Sequence, residues 1–234
     1  MVSDSLATVV IVPALDEGDN IASLVEAISL QPVECVIVVD NGSSDETAAR
    51  ASAAGAVVVS EPRRGYGYAC AAGSAAALAR GADVLVFIDG DHSSAPDEMP
   101  ALLQPLLDNT ADLVLGSRVL GRIAAGAMLP HQRFGNWLTA AIMRRMSGLP
   151  VTDLGPYRAI RSTLFKRLDM QEMTFGWPTE MTIKGVRCGG RIVEVPVTWS
   201  TRKAGRSKVS GTWKGSVLAG YHILRVIARH GWKR

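Results

Sequence analysis

Apolar and polar positions along the chain fall into blocks whose period switches repeatedly between that of a strand and that of a helix. Thr8-Val-Val-Ile-Val12 is a β-branched run that predicts a buried strand closed by Pro13. Asp16 and Glu17 then open a stretch in which Ile21, Leu24, Val25 and Ile28 recur at helical spacing. Cys35-Val-Ile-Val-Val39 reads as a second strand, ended by the turn signal Asp40-Asn41-Gly42. Ser44 or Asp45 can cap a helix that runs to Ala54, with Gly55 as its stop. Val57-Val-Val59 is a third strand, and Gly67 to Arg80 an Ala-rich helix ended by Gly81. Asp83 to Ile88 is a fourth strand leading into Asp89-Gly90-Asp91. Ala95 to Leu107 follows as a helix with Pro96 in its first turn, and Leu113-Val-Leu115 as a fifth strand.

Continuous apolar strands alternating with helices imply an α/β fold whose parallel sheet is covered on both faces. Such sheets bind ligands at the carboxyl ends of their strands. The chemistry is therefore expected at Pro13 to Glu17, Asp40 to Asp45, Asp89 to Asp91 and Ser117-Arg118, where polar residues gather. After residue 120 the rhythm breaks. Gly121 to Pro130 predicts a mobile loop; Phe134 to Met146, Arg161 to Leu168 and Thr179 to Val186 predict helices; Ile192 to Val197 predicts a strand. Thr201 to Thr212 is a basic Gly- and Ser-containing loop, and Gly215 to His230 a closing helix. No repeat or low-complexity linker divides the chain.

With 47% hydrophobic and 20% charged residues in 234, the chain is not a disordered one. Its longest apolar run near the carboxyl end, Val217 to Ala228, carries His222 and Arg225 and falls short of a bilayer span. Met1 to Leu6 lacks the basic start of a signal peptide. Cys35, Cys70 and Cys188 form no close pair, which argues against a disulfide framework or a zinc site and suits a reducing, cytoplasmic setting. The net charge of +3 hides an asymmetry: all 22 acidic residues precede Val195, whereas Arg202, Lys203, Arg206, Lys208, Lys214, Arg225, Arg229, Lys233 and Arg234 follow it. A basic tail on an acidic body fits a polyanionic partner such as nucleic acid, phosphate groups or anionic lipid.

Asp40 and the pair Asp89 and Asp91 place three carboxylates on one sheet rim. Two of them one residue apart suit a hard cation, Mg2+ or Mn2+, that shares substrate phosphates; ordinary turn chemistry is the alternative. The first strand has no Gly-rich phosphate loop, Gly65-Tyr-Gly67 has Cys70 where a third glycine would stand, and no Walker lysine exists. Phosphate must then be held by metal and arginines. The closing helix spaces Val217, Leu218, Tyr221, Leu224, Ile227 and Ala228 on one stripe between Trp213 and Trp232. That pattern suits either a bilayer interface or packing on the core.

Val12-Pro-Ala-Leu-Asp-Glu17, Val39-Asp-Asn-Gly-Ser-Ser-Asp45, Arg64-Gly-Tyr-Gly67, Asp89-Gly-Asp91 and Gly116-Ser-Arg118 follow the order seen in family 2 glycosyltransferases with the GT-A fold. The resemblance continues through Asp153 to Arg158 and Arg202 to Thr212. Its second half is most similar to the polyprenyl-phosphate branch, the dolichol-phosphate mannose or glucose synthases. It implies an α/β, GT-A-type Rossmann-like, mostly parallel sheet sandwiched by helices, with a C-terminal amphipathic helix. Residues 1–120 would form the nucleotide-sugar-binding half, 121–212 the acceptor-binding half of the same catalytic domain, and 213–234 the basic helix.

Carried onto this chain, the resemblance implies donor contacts at Pro13, Leu15, Glu17, Asp40, Asn41, Arg64, Gly65, Gly67, Asp89, Gly90 and Asp91. Glu17 would lie near the ribose or base and Asp40 on the base, while Asp45 shapes that loop or simply caps a helix. Asp89 and Asp91 would hold Mg2+ or Mn2+, with Ser93 where some relatives place a glutamine. Arg118, Arg133, Arg202 and Lys208 are the expected acceptor-phosphate contacts, although a basic run can also be a solvated surface. Asp91, Asp153, Glu180 and Arg118 are the catalytic candidates; Asp153 and Glu180 could take a proton or form structural ion pairs, and Met181 follows Glu180 where an aspartate is often found. The implied activity is inverting transfer of a hexose from GDP-mannose or UDP-glucose to dolichyl or undecaprenyl phosphate. It would take place peripherally at the cytoplasmic membrane face through the C-terminal helix, as a homodimer or with a separate membrane partner. Two alternatives are a family 2 glycosyltransferase with a soluble small-molecule, polysaccharide or protein acceptor, and, more distantly, a non-catalytic nucleic-acid-binding protein. The acidic rim repels nucleic acid, so none is expected as partner.

Overall fold

The computed structural model describes residues 6–148, 150–204, 220–222, 224–227 and 229. The β-branched runs become β1 (Thr8–Ala14), β2 (Cys35–Asp40), β3 (Val57–Ser60) and β4 (Val84–Phe87), all mutually parallel. β5 (Leu113–Ile123), β6 (Arg158–Arg161) and β7 (Ile192–Trp199) complete one sheet in the order β3-β2-β1-β4-β6-β5-β7. Only β6 runs antiparallel to its neighbours.

Alternation along β1 explains the layers. Val10 and Val12 pack beneath α1 (Gly18–Ser29), α2 (Thr47–Ala53) and α4 (Met99–Leu107), through Ile21, Leu24, Ala51 and Leu102. Val9 and Ile11 point to the other face, under α3 (Tyr66–Ala79), α6 (Ser162–Leu168) and α7 (Trp177–Arg187). α5 (Pro130–Ser147) packs at the side, where Met143 meets Ile183 of α7. Strands buried on both faces read as unbroken apolar runs, which is why the parallel half was legible in the sequence.

Four local expectations change. β1 does not stop at Pro13. Ile11 O accepts from Ile88 N, so Pro13 is turned toward β4, whose ladder ends at the pair Ile11 and Phe87. The missing proline N–H therefore falls where no partner strand needs it. Gly121 to Pro130 is not one loop: β5 continues to Ile123 and α5 begins at Pro130. Gly121 lies against the backbone of Val197, where a Cβ would meet a carbonyl oxygen at 2.2 Å, so this glycine serves close strand approach. The helix expected from Ala95 begins as a 3-10 turn, Pro96–Glu98, before α4. β6, with the sequence Arg-Ala-Ile-Arg, was not anticipated. Residue 120 lies inside β5, which both halves of the chain share. Of the closing helix, residues 220–222, 224–227 and 229 are helical, and the remainder of that expectation lies outside the described residues. No helix among the described residues is long and apolar enough to cross a membrane.

Asp112 clamps the entry of β5 to that of β7. Its Oδ2 accepts from Arg191 N and Nε at 2.9 Å each, and its Oδ1 from Nη2 at 2.8 Å. Hydrogen bonds from the Arg191 side chain lead the causes that lower its carboxyl to about 2 from an ordinary 3.8. A lowered folded-state pKa stabilises above the unfolded value and is lost as pH falls toward the folded one. Urea unfolding of the wild type should therefore lose about 1–2 kcal/mol between pH 4 and 2 from this group, after allowance for the half-exposed guanidinium. Asp112→Asn should remove the same amount at pH 7 and flatten that part of the acid limb.

Candidate active site

The loops at the carboxyl ends of β1 and β2 are braced by their own acids. Asp16 takes a left-handed conformation (φ 48°), and its Oδ1 accepts from Ser44 N at 2.7 Å and Ser44 Oγ at 3.0 Å. Asp45 Oδ2 accepts from Gly18 N and its Oδ1 from Thr47 N, both at 3.0 Å, so one carboxylate serves the first turns of α1 and α2 together. Asn41 is buried; its amide donates to the carbonyls of Glu61 and Arg63, and its Oδ1 accepts from Gly65 N at 2.9 Å. These bonds seat the start of α3 beside the end of β2.

A cavity of about 440 Å³ opens at this rim. Of the residues named from the sequence, the expected donor contacts Pro13, Leu15, Glu17, Asn41, Arg64, Gly65, Asp89, Gly90 and Asp91 line it, together with Arg202, which was expected at the acceptor phosphate. Ala14, Tyr66, Ala69, Phe175 and Trp199 line it as well and were not singled out. Tyr66 stood within a quoted motif; Trp199 follows the last apolar strand, and nothing local marks Phe175. Two expected donor contacts are not in the cavity wall. Asp40 is half-buried and accepts from Ser43 N at 3.0 Å, shaping the adjoining turn. Gly67 faces the backbone of Glu172 and Met173, where a Cβ would meet carbonyl oxygen at 2.3 Å.

Charge concentrates at the cavity floor. Tyr66 donates to Asp89 Oδ1 at 3.2 Å. Burial, then the neighbouring charge of Asp91, pushes the Asp89 carboxyl up to about 7. Asp91 Oδ1 accepts from Ser93 N at 3.0 Å, and its Oδ2 from Arg202 Nη2 at 3.1 Å. The same Nη2 donates to Glu17 Oε1 at 2.7 Å, while Asn20 donates to Glu17 Oε2. Arg202 Nε and Nη1 are buried without a hydrogen-bond partner among the described residues. Orphaned guanidinium donors beside a cavity are an obvious place for an anion.

Of the remaining candidates, Arg118, Arg133, Asp153 and Glu180 lie away from the cavity wall. Asp153 is fully buried and grips Arg118 with both oxygens, at 2.7 Å (Nε to Oδ2) and 2.6 Å (Nη2 to Oδ1). The Arg118 guanidinium lies 4.9 Å from the centre of the Trp199 ring, so it reaches the cavity only through that ring. Glu194 accepts from Thr152 N and Asp153 N, which fixes the segment. Glu180 is likewise fully buried, accepts from Gln171 N and Glu172 N, and pairs with Lys184 at 2.8 Å. Arg133 is exposed on α5, and Lys208 lies outside the described residues.

Comparison with known proteins shows the family and the fold. The sequence profile described as glycosyl transferase family 2 matches residues 9–169. An undecaprenyl-phosphate mannosyltransferase of Micrococcus luteus is 36% identical over 200 residues, 80% of each chain. A polyprenol monophosphomannose synthase of Mycolicibacterium smegmatis is 32% identical over 223 residues, 88% of this chain and 82% of the relative. Among solved structures, glucosyl-3-phosphoglycerate synthase of Mycobacterium tuberculosis, in complex with Mn2+, UDP and glucosyl-3-phosphoglycerate, superposes with a TM-score of 0.77 at 25% identity. It covers 98% of this chain and 81% of that one.

Proposed function

Because the chain belongs to glycosyl transferase family 2, has the GT-A fold and is a hexosyltransferase, we propose that it moves a hexose, with inversion, from a nucleoside diphosphate sugar to a polyprenyl phosphate. The observation that carries this is the convergence of Glu17, Asp89, Asp91 and Arg202 on one cavity where a parallel sheet holds nucleotides. The two mannosyl-transferring relatives support a polyprenyl phosphate acceptor and a mannose donor.

Asp89 and Asp91 would hold the divalent cation, Mg2+ or Mn2+. The donor set fits: two carboxylates flanking Gly90, with Asp89 raised to about 7 by burial and then by the neighbouring charge of Asp91. When bound, that ion neutralises the departing diphosphate. Tyr66 orients Asp89 through its hydroxyl. Arg202, held by Glu17 and Asp91, offers to diphosphate oxygens its Nε and Nη1, which have no partner among the described residues. Asp40 meets the base from the rim, and Gly67 keeps α3 close to residues 172 and 173.

A phosphate acceptor is already ionised at neutral pH and needs no proton removed before it attacks. That frees Asp153 and Glu180 for positioning. Asp153 holds Arg118 over the Trp199 ring, and Glu180 pins residues 171–172, close before Phe175 in the cavity wall. Arg118, Arg133 and Lys208 guide the acceptor phosphate.

A second reading, a small soluble phosphorylated acceptor, is favoured by the solved synthase. Purified protein with Mn2+ and labelled GDP-mannose or UDP-glucose should yield an organic-extractable product only when undecaprenyl phosphate is supplied in detergent. Label transferred to 3-phosphoglycerate, with none to the lipid, would reverse the choice of acceptor.

A further inference from the structure

Three aromatic side chains stand in the cavity wall: Tyr66, Phe175 and Trp199. Tyr66 gives its hydroxyl to Asp89, and Phe175 packs on Tyr66 with ring centres 6.5 Å apart. Trp199 has no such part in the acidic floor, yet its ring is held at both edge and face. Its Nε1 donates to Ala127 O at 3.2 Å, and the Arg118 guanidinium covers one face of the indole, 4.9 Å from the ring centre. Arg118 is in turn locked to the buried Asp153. Arg118 is not in the cavity wall, so the side of the ring that it leaves bare is the side the cavity meets. A ring fixed before its ligand arrives costs that ligand little rotamer entropy.

The order of the sheet says what meets that ring. Asn41 follows β2, Leu15 and Glu17 follow β1, and Asp89 and Asp91 follow β4, while β5 and β7, on the far side of β4, carry Arg118 and Trp199. An antiparallel bridge between Ser94 and Trp199, and the bond from Ser200 N to Ser93 O at 2.8 Å, set the indole beside the turn that holds Asp91. A nucleotide with its base toward β2 and its diphosphate at the β4 acids therefore directs the group beyond the diphosphate at Trp199. We propose that Trp199 is the platform on which the transferred hexose lies and that it helps to select that hexose; the proposal rests on the nucleoside diphosphate hexose reading above. A pyranose carries polarised C–H bonds on its faces, and the negative face of an aromatic ring attracts them. Mannose and glucose differ in the direction of one hydroxyl, so a flat wall separates them by which face of the sugar stays free of hydroxyls.

Titration calorimetry with Mg2+ tests this on GDP against GDP-mannose and on UDP against UDP-glucose, taking forward the nucleotide that wild-type protein binds more tightly. Trp199→Leu should raise Kd for the nucleotide sugar about five- to tenfold and leave Kd for the bare diphosphate within about twofold. Trp199→Phe, which keeps a ring, should stay within about threefold of wild type for both ligands. The ratio of Kd between the mannosyl and glucosyl forms of that nucleotide should shrink in Trp199→Leu and persist in Trp199→Phe. Proton NMR of the wild-type complex decides the matter even where Trp199→Leu does not fold: hexose C–H resonances should move upfield on binding, as protons above an aromatic face do. A loss in Trp199→Leu shared equally by diphosphate and nucleotide sugar makes the ring a structural wall and overturns the platform. So does an unchanged Kd, or hexose resonances that stay at their free positions; each of these leaves the hexosyltransferase reading standing. A wild type that binds neither diphosphate nor nucleotide sugar defeats both. Hexose-selective loss without transfer to undecaprenyl phosphate upholds the platform and removes only the acceptor.

Discussion

Asp91→Asn should lower kcat by roughly a thousandfold, about 4 kcal/mol of transition-state stabilisation, with the fold intact. Asparagine keeps the volume of the side chain and still accepts from Ser93 N. What disappears is charge: the partner of Arg202 at 3.1 Å and one of the two carboxylates at the cavity floor. Like-charge crowding with Asp89 also ends, so the melting temperature should stay level or rise slightly. The measurement is turnover at saturating nucleotide sugar across a Mn2+ titration, with the loss persisting at the highest Mn2+. Ser93→Ala is the matched control. Among the described residues its hydroxyl has no hydrogen-bond partner, so its activity should stay within about threefold of wild type. An Asp91→Asn enzyme that keeps a tenth of its rate would remove this carboxylate from the chemistry.

The largest loss of stability should follow Asp153→Ala, about 3–5 kcal/mol, because it strands a mostly buried guanidinium without its partner. Three hydrogen bonds from Arg118, one from its backbone, end on this carboxylate. Positioning and proton transfer make different signatures here. As a positioning group, Asp153→Asn lowers the melting temperature, raises KM for the acceptor more than it lowers kcat, and couples non-additively to Arg118→Met. As a general base it would lower kcat by about a hundredfold or more with a flattened pH profile and an ordinary melting temperature. The double-mutant cycle, measured by denaturant unfolding and by acceptor kinetics together, separates them.

The sequence announced what short-range patterns can announce. Val10 and Val12 on one face of β1 and Val9 and Ile11 on the other follow from an unbroken apolar run, and with them a sheet covered on both sides. Asp89 and Asp91 stood out because acids at a strand end are conspicuous. Relations across distant segments stayed hidden. Phe175 and Trp199 reach the cavity from residues far along the chain, with no periodicity to mark them. Tyr66 was visible as a residue, but its bond to Asp89 spans two loops. The family resemblance could name Asp153 and Glu180 as candidate carboxylates, yet not that Arg118 and the N–H groups of Gln171 and Glu172 already engage them. β6 escaped notice because four residues bounded by arginines carry too little hydrophobic signal to read as a buried strand.

That small strand governs the order in which the molecule can be assembled. β5 never pairs with β4; β6, made later than both, is threaded between them. During synthesis the free edge of β4 must wait until residue 161 has left the ribosome, and a bare edge in the interim is open to sticking and to wrong partners. A truncated chain ending at residue 120 would carry every acid of the cavity floor yet lack the strand that moors its last one. It belongs in inclusion bodies rather than in a binding assay.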